Sequence, residues 1–314
     1  DQAGRYIYIH DADTKDYWSA SWQPVAKPLD EYKSECRHGS TYTKISSDYS
    51  DIATNTNFFV PLDSDYECWH TTVKNNGSTK RTLKMFTYVE YGCNWNANDD
   101  LNNLQYSQYI TDMSVVDGII SHASNTNLPE MPDNFEEKDQ ARYTFLGAVG
   151  VEVTGYDTSR EAFIGPYRSY ANPIAVEKGE CSNSLAKAGN PCGTLQFEIT
   201  LEPGEEKEFA IFMGIGRADK VGKEVMEKYS DLSLINTEFE KLKTHWHSKM
   251  AQMSVSTPDG QVDSMLNMWS QFNSLMTFFW SRAASLVYSG ARDGLGYRDT
   301  VQDMLGVMHA IPED

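Results

Sequence analysis

Residues 288–305 contain the side chains with the clearest potential for chemistry. Three glycines there are interleaved with arginines and acids, between two strongly apolar segments. Glycine lets a backbone turn tightly and approach a ligand closely. Charged side chains such as Arg292, Arg298 and Asp299 are costly between buried helices unless they pair or bind a polar group. The stretch therefore predicts the polar floor of a ligand pocket.

Asp299 also has other interpretations. Residues 299–302 match a capping box at the start of the last helix. Asp299 and Asp303 are four residues apart, so a helix would place both carboxylates on one face, where they would suit general acid–base chemistry. Arg298 would then serve as a plain ion-pair partner. The residues alone leave these alternatives open.

The sequence lacks the motifs of several common catalytic sites. It contains no nucleophile elbow, P-loop, dinucleotide fingerprint or metal-ligand cluster. Ser281 lies within an apolar helical segment with no histidine nearby. We therefore predict neither a serine hydrolase nor a metal site.

Composition narrows the class of protein. The 314 residues are 40% hydrophobic and 12% aromatic, which is typical of a globular chain with a substantial core. The formal net charge of -18 argues against nucleic acid and anionic membranes as partners, because both require a basic surface.

The sequence favours a cytoplasmic protein with reduced thiols. It shows no N-terminal signal peptide and no run of about 18 apolar residues that would span a membrane. Five cysteines without C-x-x-C spacing argue against a zinc knuckle and a complete disulfide framework: Cys36, Cys68, Cys93, Cys181 and Cys192. Buried, reduced thiols are the simplest expectation, and a disulfide between Cys181 and Cys192 is the alternative.

From Arg5 to about Arg217 the pattern predicts strands. Short runs rich in Tyr, Thr, Val, Ile and Phe are separated by turn residues, which indicates a large antiparallel sandwich. The last pair of runs alternates most clearly, and we expect it to form a hairpin that turns at Pro203-Gly204. Its first strand would bury one face, formed by Leu195, Phe197, Ile199 and Leu201.

After Gly216 the period becomes helical. A short helix is followed by a second one that Asn236 would cap, with Phe239, Leu242, Trp246 and Met250 on one stripe. Residues 262–287 are apolar nearly all round, including Phe278, Phe279 and Trp280. Such a helix must be buried among other helices, so we expect a helical domain to begin near residue 259 with its bulk outside this chain.

Several segments, in one order along the chain, carry a resemblance to a known family. They include DQAGRYIYI, YWSASWQPVAK, CRHGSTYTKI, WNANDDLNNLQ, EAFIGPYR, LEPGEEKEF and WSRAASLVYSGARDGLGYRDTVQDMLG. The chain resembles the inverting disaccharide phosphorylases of glycoside hydrolase family 94, which include cellobiose, chitobiose and laminaribiose phosphorylases. The resemblance extends over nearly the whole chain.

The resemblance implies an N-terminal β-sandwich, a helical linker, an (α/α)6 barrel and a small C-terminal β-domain. Combined with the changes of period, it predicts the sandwich over residues 1–217, the linker over 218–258 and the first barrel helices over 259–314. The expected fold class is thus multidomain β + α: a large antiparallel β-sandwich, a helical linker and the start of an (α/α)6 barrel.

The implied reaction is the reversible, inverting phosphorolysis of a short β-linked disaccharide. Inorganic phosphate, a co-substrate, attacks the anomeric carbon while a single acid protonates the leaving oxygen, and no cofactor takes part. The family's general acid lies in an A-D-W-N-D segment that does not occur here. No catalytic residue is therefore expected within this chain, and the phosphate-binding residues are expected outside it too.

The resemblance assigns binding roles residue by residue. Arg292, Arg298 and Asp299 match the family's donor-sugar site and would hydrogen-bond the hydroxyls of the ring that becomes the sugar phosphate. The segment Trp95–Gln105 is similar to the sandwich loop at the barrel mouth. On that basis the acceptor-side contacts would be Asn96, Asn103 and Tyr106.

The substrate remains open between two types. Tyr106 replaces the Arg of cellobiose phosphorylases, whereas the segments WSR, CSNS and GLGYRDT resemble chitobiose phosphorylases. We expect a β-glucosyl disaccharide of the laminaribiose or cellobiose type, yielding α-glucose 1-phosphate. The alternative is a chitobiose-type phosphorylase that releases α-N-acetylglucosamine 1-phosphate. The family also implies a homodimer with the sandwich at its interface.

Two other classes compete with a phosphorylase. A non-catalytic carbohydrate-binding sandwich would explain the strands, but it would not need the apolar segment around Phe278 and Phe279. A true glycoside hydrolase would cleave the same bond without phosphate.

Overall fold

The computed structural model describes residues 4–91, 111–124, 143–187, 189–279 and 297–309. In these ranges the chain forms antiparallel strands as far as residue 215, with two short helices among them, and helices thereafter. The large antiparallel sandwich followed by helices is confirmed. The domain boundaries at residues 217 and 258 stay predictions.

The described strands form two antiparallel sheets. The first has five strands, in the spatial order β11 (Val153–Ser159), β12 (Pro191–Leu201), β7 (Arg81–Glu90), β1 (Tyr6–Asp11) and β2 (Tyr17–Ser19). The second has eight, in the order β3 (Lys33–His38), β4 (Tyr42–Tyr49), β5 (Ile52–Phe59), β6 (Tyr66–Asn75), β13 (Glu206–Ile215), β10 (Tyr143–Val149), β9 (Ile119–Ser124) and β8 (Thr111–Val116).

The core lies between the facing sides of these sheets. The four predicted inward residues of β12 are all buried and join one cluster with Trp69 and Ile211 of the other sheet. The rings of Phe197 and Phe209 meet edge to face across the sandwich, with centroids 4.8 Å apart. The two-residue alternation thus identified the buried face of this strand correctly.

The predicted hairpin at Pro203-Gly204 is wrong. Strand β12 pairs with β7 and β11, whereas β13 pairs with β6 and β10, so the turn carries the chain from one sheet to the other. Gly204 has a φ of 77°, which suits glycine at this reversal. Alternation reveals that each strand buries a face, but it does not reveal which strand will be the hydrogen-bonding partner.

A second turn, from β6 to β7, also carries the chain from one sheet to the other. Hydrogen bonds of Asn75 connect this turn to the turn at Pro203-Gly204. Its backbone N–H donates to the Glu205 carbonyl (3.0 Å), and its own carbonyl accepts from the Gly204 N–H (2.8 Å). Its side-chain amide donates to the carbonyls of Thr79 (2.7 Å) and Leu201 (3.2 Å). We name this pair of turns, residues 75–77 and 202–205, the corner.

Helices cover part of the outer face of the eight-stranded sheet. A π-helical turn (Ala218–Gly222) leads into α3 (Lys223–Lys228), and α4 (Ser233–Met250) follows. As predicted, Leu242 and Met250 are buried on one stripe of α4, where Phe239 and Trp246 are packed too. Asn236 does not cap this helix, because α4 already begins at Ser233 and buries Ile235 in its first turn.

The remaining helices are α5 (Gly260–Ser264), a π-helical turn (Met265–Trp269), α6 (Ser270–Phe279) and α7 (Tyr297–Leu305). Within α6, Gln271 and Leu275 are buried, but Phe279 is 52% exposed. The helices expected to bury this segment on all sides were placed outside this chain, so that expectation stays a prediction. Trp280 lies outside the described residues. Among the described helices, none is both long enough and apolar enough to cross a membrane.

The four described cysteines carry no disulfide. Cys68, Cys181 and Cys192 are buried, and burial raises the pKa of each thiol. The alternative of a disulfide between Cys181 and Cys192 is thus wrong. Cys36 is exposed, contrary to expectation, because it lies on the edge strand β3. Cys93 lies outside the described residues.

Candidate functional site

The helix that carries two of the predicted donor-sugar residues is anchored at its C-terminal end. Val307, two residues after the end of α7, is buried with Met250 and Leu275. The His309 Nε2 lies 2.9 Å from the Gln271 Oε1 of α6, while the Gln271 amide donates to three backbone carbonyls. Packing and hydrogen bonds therefore fix the position of α7 against α6.

Arg298 and Asp299 both lie in the first turn of α7. Arg298 is exposed. The capping-box prediction is wrong, because α7 begins at Tyr297 and so Asp299 is inside the helix rather than before it. Asp299 and Asp303 are in one helix, four residues apart. Arg292 lies outside the described residues, so the grouping of the three donor-sugar residues stays a prediction.

The acceptor-side residues Asn96, Asn103 and Tyr106 also lie outside the described residues. The described strands that flank them are β7, which ends at Glu90, and β8, which begins at Thr111. Strand β9 ends, and β10 begins, at the end of the sheet where β8 begins, since Thr111 is paired with Ser124 and Tyr143 with Ala123.

An aromatic stack joins the two sheets at this end of the sandwich. The rings of Tyr91 and His122 lie 4.6 Å apart with an interplanar angle of 9°. Both residues are buried, and the His122 Nδ1 lies 3.1 Å from the Thr144 Oγ1. Tyr91 is the last described residue before Asn96, so the stack fixes the point at which the chain leaves β7.

On the outer face of the five-stranded sheet, Glu90 collects three hydrogen bonds. Its Oε1 accepts from the hydroxyls of Tyr88 and Tyr170, each at 2.6 Å, and from the Arg160 Nε at 3.0 Å. The Arg160 guanidinium also lies over the Tyr170 ring, 5.3 Å from its centroid. Burial and the hydrogen bond to Glu90 raise the pKa of Tyr170, which keeps its hydroxyl a donor. This cluster fixes the last residue of β7 to the segment after β11.

That segment includes two short helices, α1 (Arg160–Ile164) and α2 (Ile174–Lys178). Phe163 and Val176 are fully buried against Tyr8 and Phe86 of the five-stranded sheet. The block EAFIGPYR, which contributes to the resemblance, thus covers the sheet beside Glu90.

A buried carboxylate shapes the segment Cys181-Ser182-Asn183-Ser184. Asp157 is fully buried, and its Oδ1 accepts from the Ser182 hydroxyl (2.6 Å), the Ser184 hydroxyl (2.7 Å) and the Ser184 N–H (3.0 Å). The Asn183 side chain accepts from the Tyr156 N–H at 3.0 Å. Because its carboxylate oxygen accepts three hydrogen bonds from Ser182 and Ser184, Asp157 holds this loop in one conformation.

Sequence reasoning did not identify Glu90, Arg160 or Asp157. Two of the three partners of Glu90 lie 70 and 80 positions along the chain, and the two serines that bind Asp157 lie 25 and 27 positions away. The only local indication in the sequence was the run of Ser and Asn at residues 182–184, which matches no turn motif. The described carboxylates in these clusters are held by hydrogen bonds and serve structure. No set of three or more His, Cys, Asp or Glu side chains among the described residues could hold a metal ion.

Known proteins match the chain along its length. It is 40% identical to an N,N'-diacetylchitobiose phosphorylase of Vibrio proteolyticus over 100% of this chain and 38% of the relative. Another of that name, from Vibrio furnissii, is 37% identical over 99% of this chain and 37% of the relative. A solabiose phosphorylase of Paenibacillus borealis is 29% identical over 98% and 37%.

The chain therefore spans 37–38% of the length of these relatives. Among solved structures, a bacterial glucoamylase complexed with acarbose aligns with a TM-score of 0.47 and 11% identity, covering 87% of this chain and 34% of that one.

Two family models divide the chain between them. The model of the glycosyl hydrolase 94 supersandwich domain matches residues 1–232, and that of the glycosyl hydrolase 94 catalytic domain matches residues 245–314. The first match alone covers more than half of the chain. The resemblance drawn from the sequence is confirmed, and the chain belongs to glycosyl hydrolase family 94.

Proposed function

We propose that the full-length protein is a disaccharide phosphorylase that cleaves an N,N'-diacetylchitobiose-type substrate. Inorganic phosphate attacks the anomeric carbon with inversion, which yields α-N-acetylglucosamine 1-phosphate and a free acceptor sugar. The observation that carries the proposal is the similarity along the whole chain to two N,N'-diacetylchitobiose phosphorylases, at 40% and 37% identity.

The substrate differs from our first expectation. A glucosyl disaccharide is supported less well, because the solabiose phosphorylase and a 3-O-beta-D-glucopyranosyl-beta-D-glucuronide phosphorylase of Paenibacillus borealis are 29% and 28% identical. The segment Cys181–Ser184 resembles the chitobiose type. Hydrogen bonds to the buried Asp157 hold it in a defined conformation. The glucosyl reaction remains the alternative outcome of the test.

The binding roles in this proposal follow the resemblance. Arg292, Arg298 and Asp299 would hydrogen-bond the donor ring, because charged groups that are left unpaired disfavour a sugar with the wrong hydroxyls. On the acceptor side the contacts would come from Asn96, Asn103 and Tyr106. The general acid and the phosphate ligands would lie in the part of the protein that corresponds to the rest of the relative, of which this chain covers 38%.

The proposal also includes the cellular location of the enzyme and its cofactor requirement. A cytoplasmic enzyme would have intracellular phosphate as its co-substrate, and the reaction would need no further cofactor. Phosphate would supply the nucleophile, so a second catalytic carboxylate, which inverting hydrolases use to activate water, would be unnecessary.

A substrate panel tests the proposal. Full-length protein is incubated with diacetylchitobiose, cellobiose or laminaribiose, with and without phosphate, and sugar 1-phosphate is measured. We expect phosphate-dependent turnover of diacetylchitobiose to exceed that of the other two by at least about 100-fold. Faster turnover of a glucosyl disaccharide would support the alternative. Cleavage that ignores phosphate would sink the phosphorylase proposal.

A further inference from the structure

Asn76 lies in the first turn of the corner and is the only asparagine in the sequence that glycine follows. The residue is exposed, so water reaches it. In an Asn-Gly pair the backbone nitrogen of the glycine can attack the side-chain amide carbon of the asparagine, because glycine has no side chain to hinder the approach. In the unfolded chain Asn76 is therefore the asparagine with the greatest tendency to deamidate.

Deamidation at this pair proceeds in two balanced steps. The Gly77 nitrogen gives up its proton and bonds to Cγ of Asn76, while the side-chain nitrogen leaves as ammonia and a succinimide ring closes. Water then opens the ring at either carbonyl, which gives aspartate or isoaspartate. The sum is amide plus water to carboxylate plus ammonium. The reaction takes up no oxidant, reductant or cofactor.

Hydrogen bonds in the folded corner engage the attacking nitrogen. The Gly77 N–H donates to the Asn75 Oδ1 at 2.9 Å. On the other side of the reactive residue, the Asn76 N–H donates to the Asp51 carbonyl at 2.7 Å. Both peptide groups next to Asn76 are thus held in place. Ring closure requires the Gly77 nitrogen to release its proton and approach Cγ, which breaks the hydrogen bond to Asn75.

The acceptor of that hydrogen bond is itself fixed. Asn75 is fully buried, and its amide nitrogen donates to the carbonyls of Thr79 at 2.7 Å and Leu201 at 3.2 Å. Its backbone carbonyl accepts from the Gly204 N–H at 2.8 Å. The Asn75 Oδ1 therefore stays in place opposite the Gly77 N–H for as long as the two turns of the corner remain joined.

We propose that Asn76 is a deamidation site that reacts only when the corner opens, with Asn75 as the residue that restrains it. Since Asn76 is exposed in the folded protein, burial does not keep water from it, and the restraint must come from the hydrogen bonds of the turn. The proposal is independent of the proposed reaction with disaccharides.

The product of deamidation would oppose renewed closure of the corner. The Asn76 Nδ2 lies 3.5 Å from the Asp48 Oδ2, so the reaction replaces a donor at that position by a second carboxylate. Asp51 is also close, because a Cβ built on Gly77 would lie 3.6 Å from its Oδ2. Like charges at such separations repel. Isoaspartate, in addition, lengthens the backbone by a carbon atom and displaces the Gly77 N–H from Asn75.

Rates of deamidation in the native and unfolded protein provide the test. Full-length protein is incubated at mildly alkaline pH, with and without urea, and peptide mapping by mass spectrometry follows residue 76. We expect the native rate to be at least about tenfold below the rate in urea, because the native reaction requires local opening. In urea Asn76 should react faster than Asn183, which serine follows. Gly77→Ala should slow the reaction in urea.

Two substitutions of Asn75 form a matched pair. Both Asn75→Ala and Asn75→Asp remove the amide that donates to Thr79 and Leu201, but aspartate keeps an oxygen for the Gly77 N–H. Asn75→Ala should raise the native rate at least about tenfold, and Asn75→Asp should raise it less.

The charge of the product is tested by Asn76→Asp, which should lower the thermal midpoint. Asn76→Ala is its uncharged control and should leave the midpoint nearly unchanged.

Two results would overturn the proposal. Equal rates in native and unfolded protein would show that the folded corner does not restrain Asn76. An Asn75→Asp variant as reactive as Asn75→Ala would show that the oxygen at residue 75 is not the restraint. The first comparison uses the unaltered protein, so it decides the matter even if Asn75→Ala does not fold.

Discussion

Tyr91 and His122 stack in parallel between the two sheets, with ring centroids 4.6 Å apart. Tyr91 directly follows β7 of the five-stranded sheet, and His122 lies in β9 of the eight-stranded sheet. The contact therefore couples the sheets at the end of the sandwich where β7 stops and β8 starts. It is one of the few described contacts that bear on how the proposed acceptor-side segment is held.

The substitution Gly193→Ala tests this packing. A Cβ at Gly193 would lie 2.5 Å from the Tyr91 hydroxyl, 2.8 Å from Val89 and 2.9 Å from Leu146. We expect the free energy of unfolding to fall by about 1–3 kcal/mol, because the core must shift to admit the methyl group. Urea denaturation measures the change. Gly260→Ala is the control, since nothing lies within 4 Å of its new Cβ, and an equal loss there would contradict the argument.

Asn75→Ala should loosen the corner. The side-chain amide of Asn75 serves the carbonyls of Thr79 and Leu201, and the residue is fully buried. Its removal leaves these acceptors without that donor, at a cost of about 2–4 kcal/mol in unfolding free energy. The exposed Asn76→Ala should change stability by less than about 0.5 kcal/mol. Similar losses in both variants would show that the corner does not depend on the Asn75 amide.

Asp157→Ala should release the Cys181–Ser184 loop. The buried carboxylate accepts from Ser182 and Ser184 at 2.6–3.2 Å. We expect a loss of about 3–5 kcal/mol, and a smaller loss for Asp157→Asn, which keeps one acceptor oxygen. Chemical denaturation would measure both. The control is Asp30→Ala at an exposed position, and its effect should be less than about 0.5 kcal/mol.

His10 should make stability depend on pH. The residue is buried under α2, and burial lowers the pKa of its imidazole. The unfolded chain then binds a proton near pH 6.5, whereas the folded one binds it only at lower pH. Stability should therefore fall as pH drops below about 6.5 and level off below the folded pKa. Denaturation midpoints at several pH values should show a shallower decline for His10→Gln, and an identical decline would remove His10 as its cause.

Asp299→Asn should impair catalysis without unfolding α7. If Asp299 binds the donor ring as proposed, kcat/KM of the full-length protein should fall at least about 100-fold. The thermal midpoint should change little, because Asp299 lies inside the helix and not at its N-cap. Asp303→Asn is the matched control, one turn further along. A larger effect at Asp303 would exchange the roles of the two carboxylates.

Local patterns predicted the elements of this protein better than their partners. Alternation located the buried face of β12, and the helical stripe of α4 gave Leu242 and Met250 as buried residues. The hairpin at Pro203-Gly204 was wrong because both strands meet the same core from opposite sheets, which looks identical in sequence. The cap at Asp299 was wrong because Tyr297 and Arg298 extend the helix before it.

The site was less predictable than the fold for a related reason. Apart from Tyr88, the described partners of Glu90 and Asp157 lie 25 to 80 positions away and come close only through the fold. No short-range pattern in the sequence indicates such a pair. The binding roles of Arg292, Arg298 and Asp299 came from the family resemblance, because their residue types alone also suited ion pairs and helix capping.

The two crossing turns at the corner have a consequence for how the chain is synthesised. Strand β7 lies between β1 and β12, and β6 lies between β5 and β13, so each sheet needs strands from both ends of the domain. On the ribosome the meander β3–β6 can pair as it emerges. The five-stranded sheet, in contrast, is completed only after Leu201 has left the exit tunnel, and the eight-stranded sheet only after Ile215 has done so. The nascent chain therefore carries an open edge on β6 and another on β7 for more than a hundred residues of elongation, a period in which chaperone protection would be most needed.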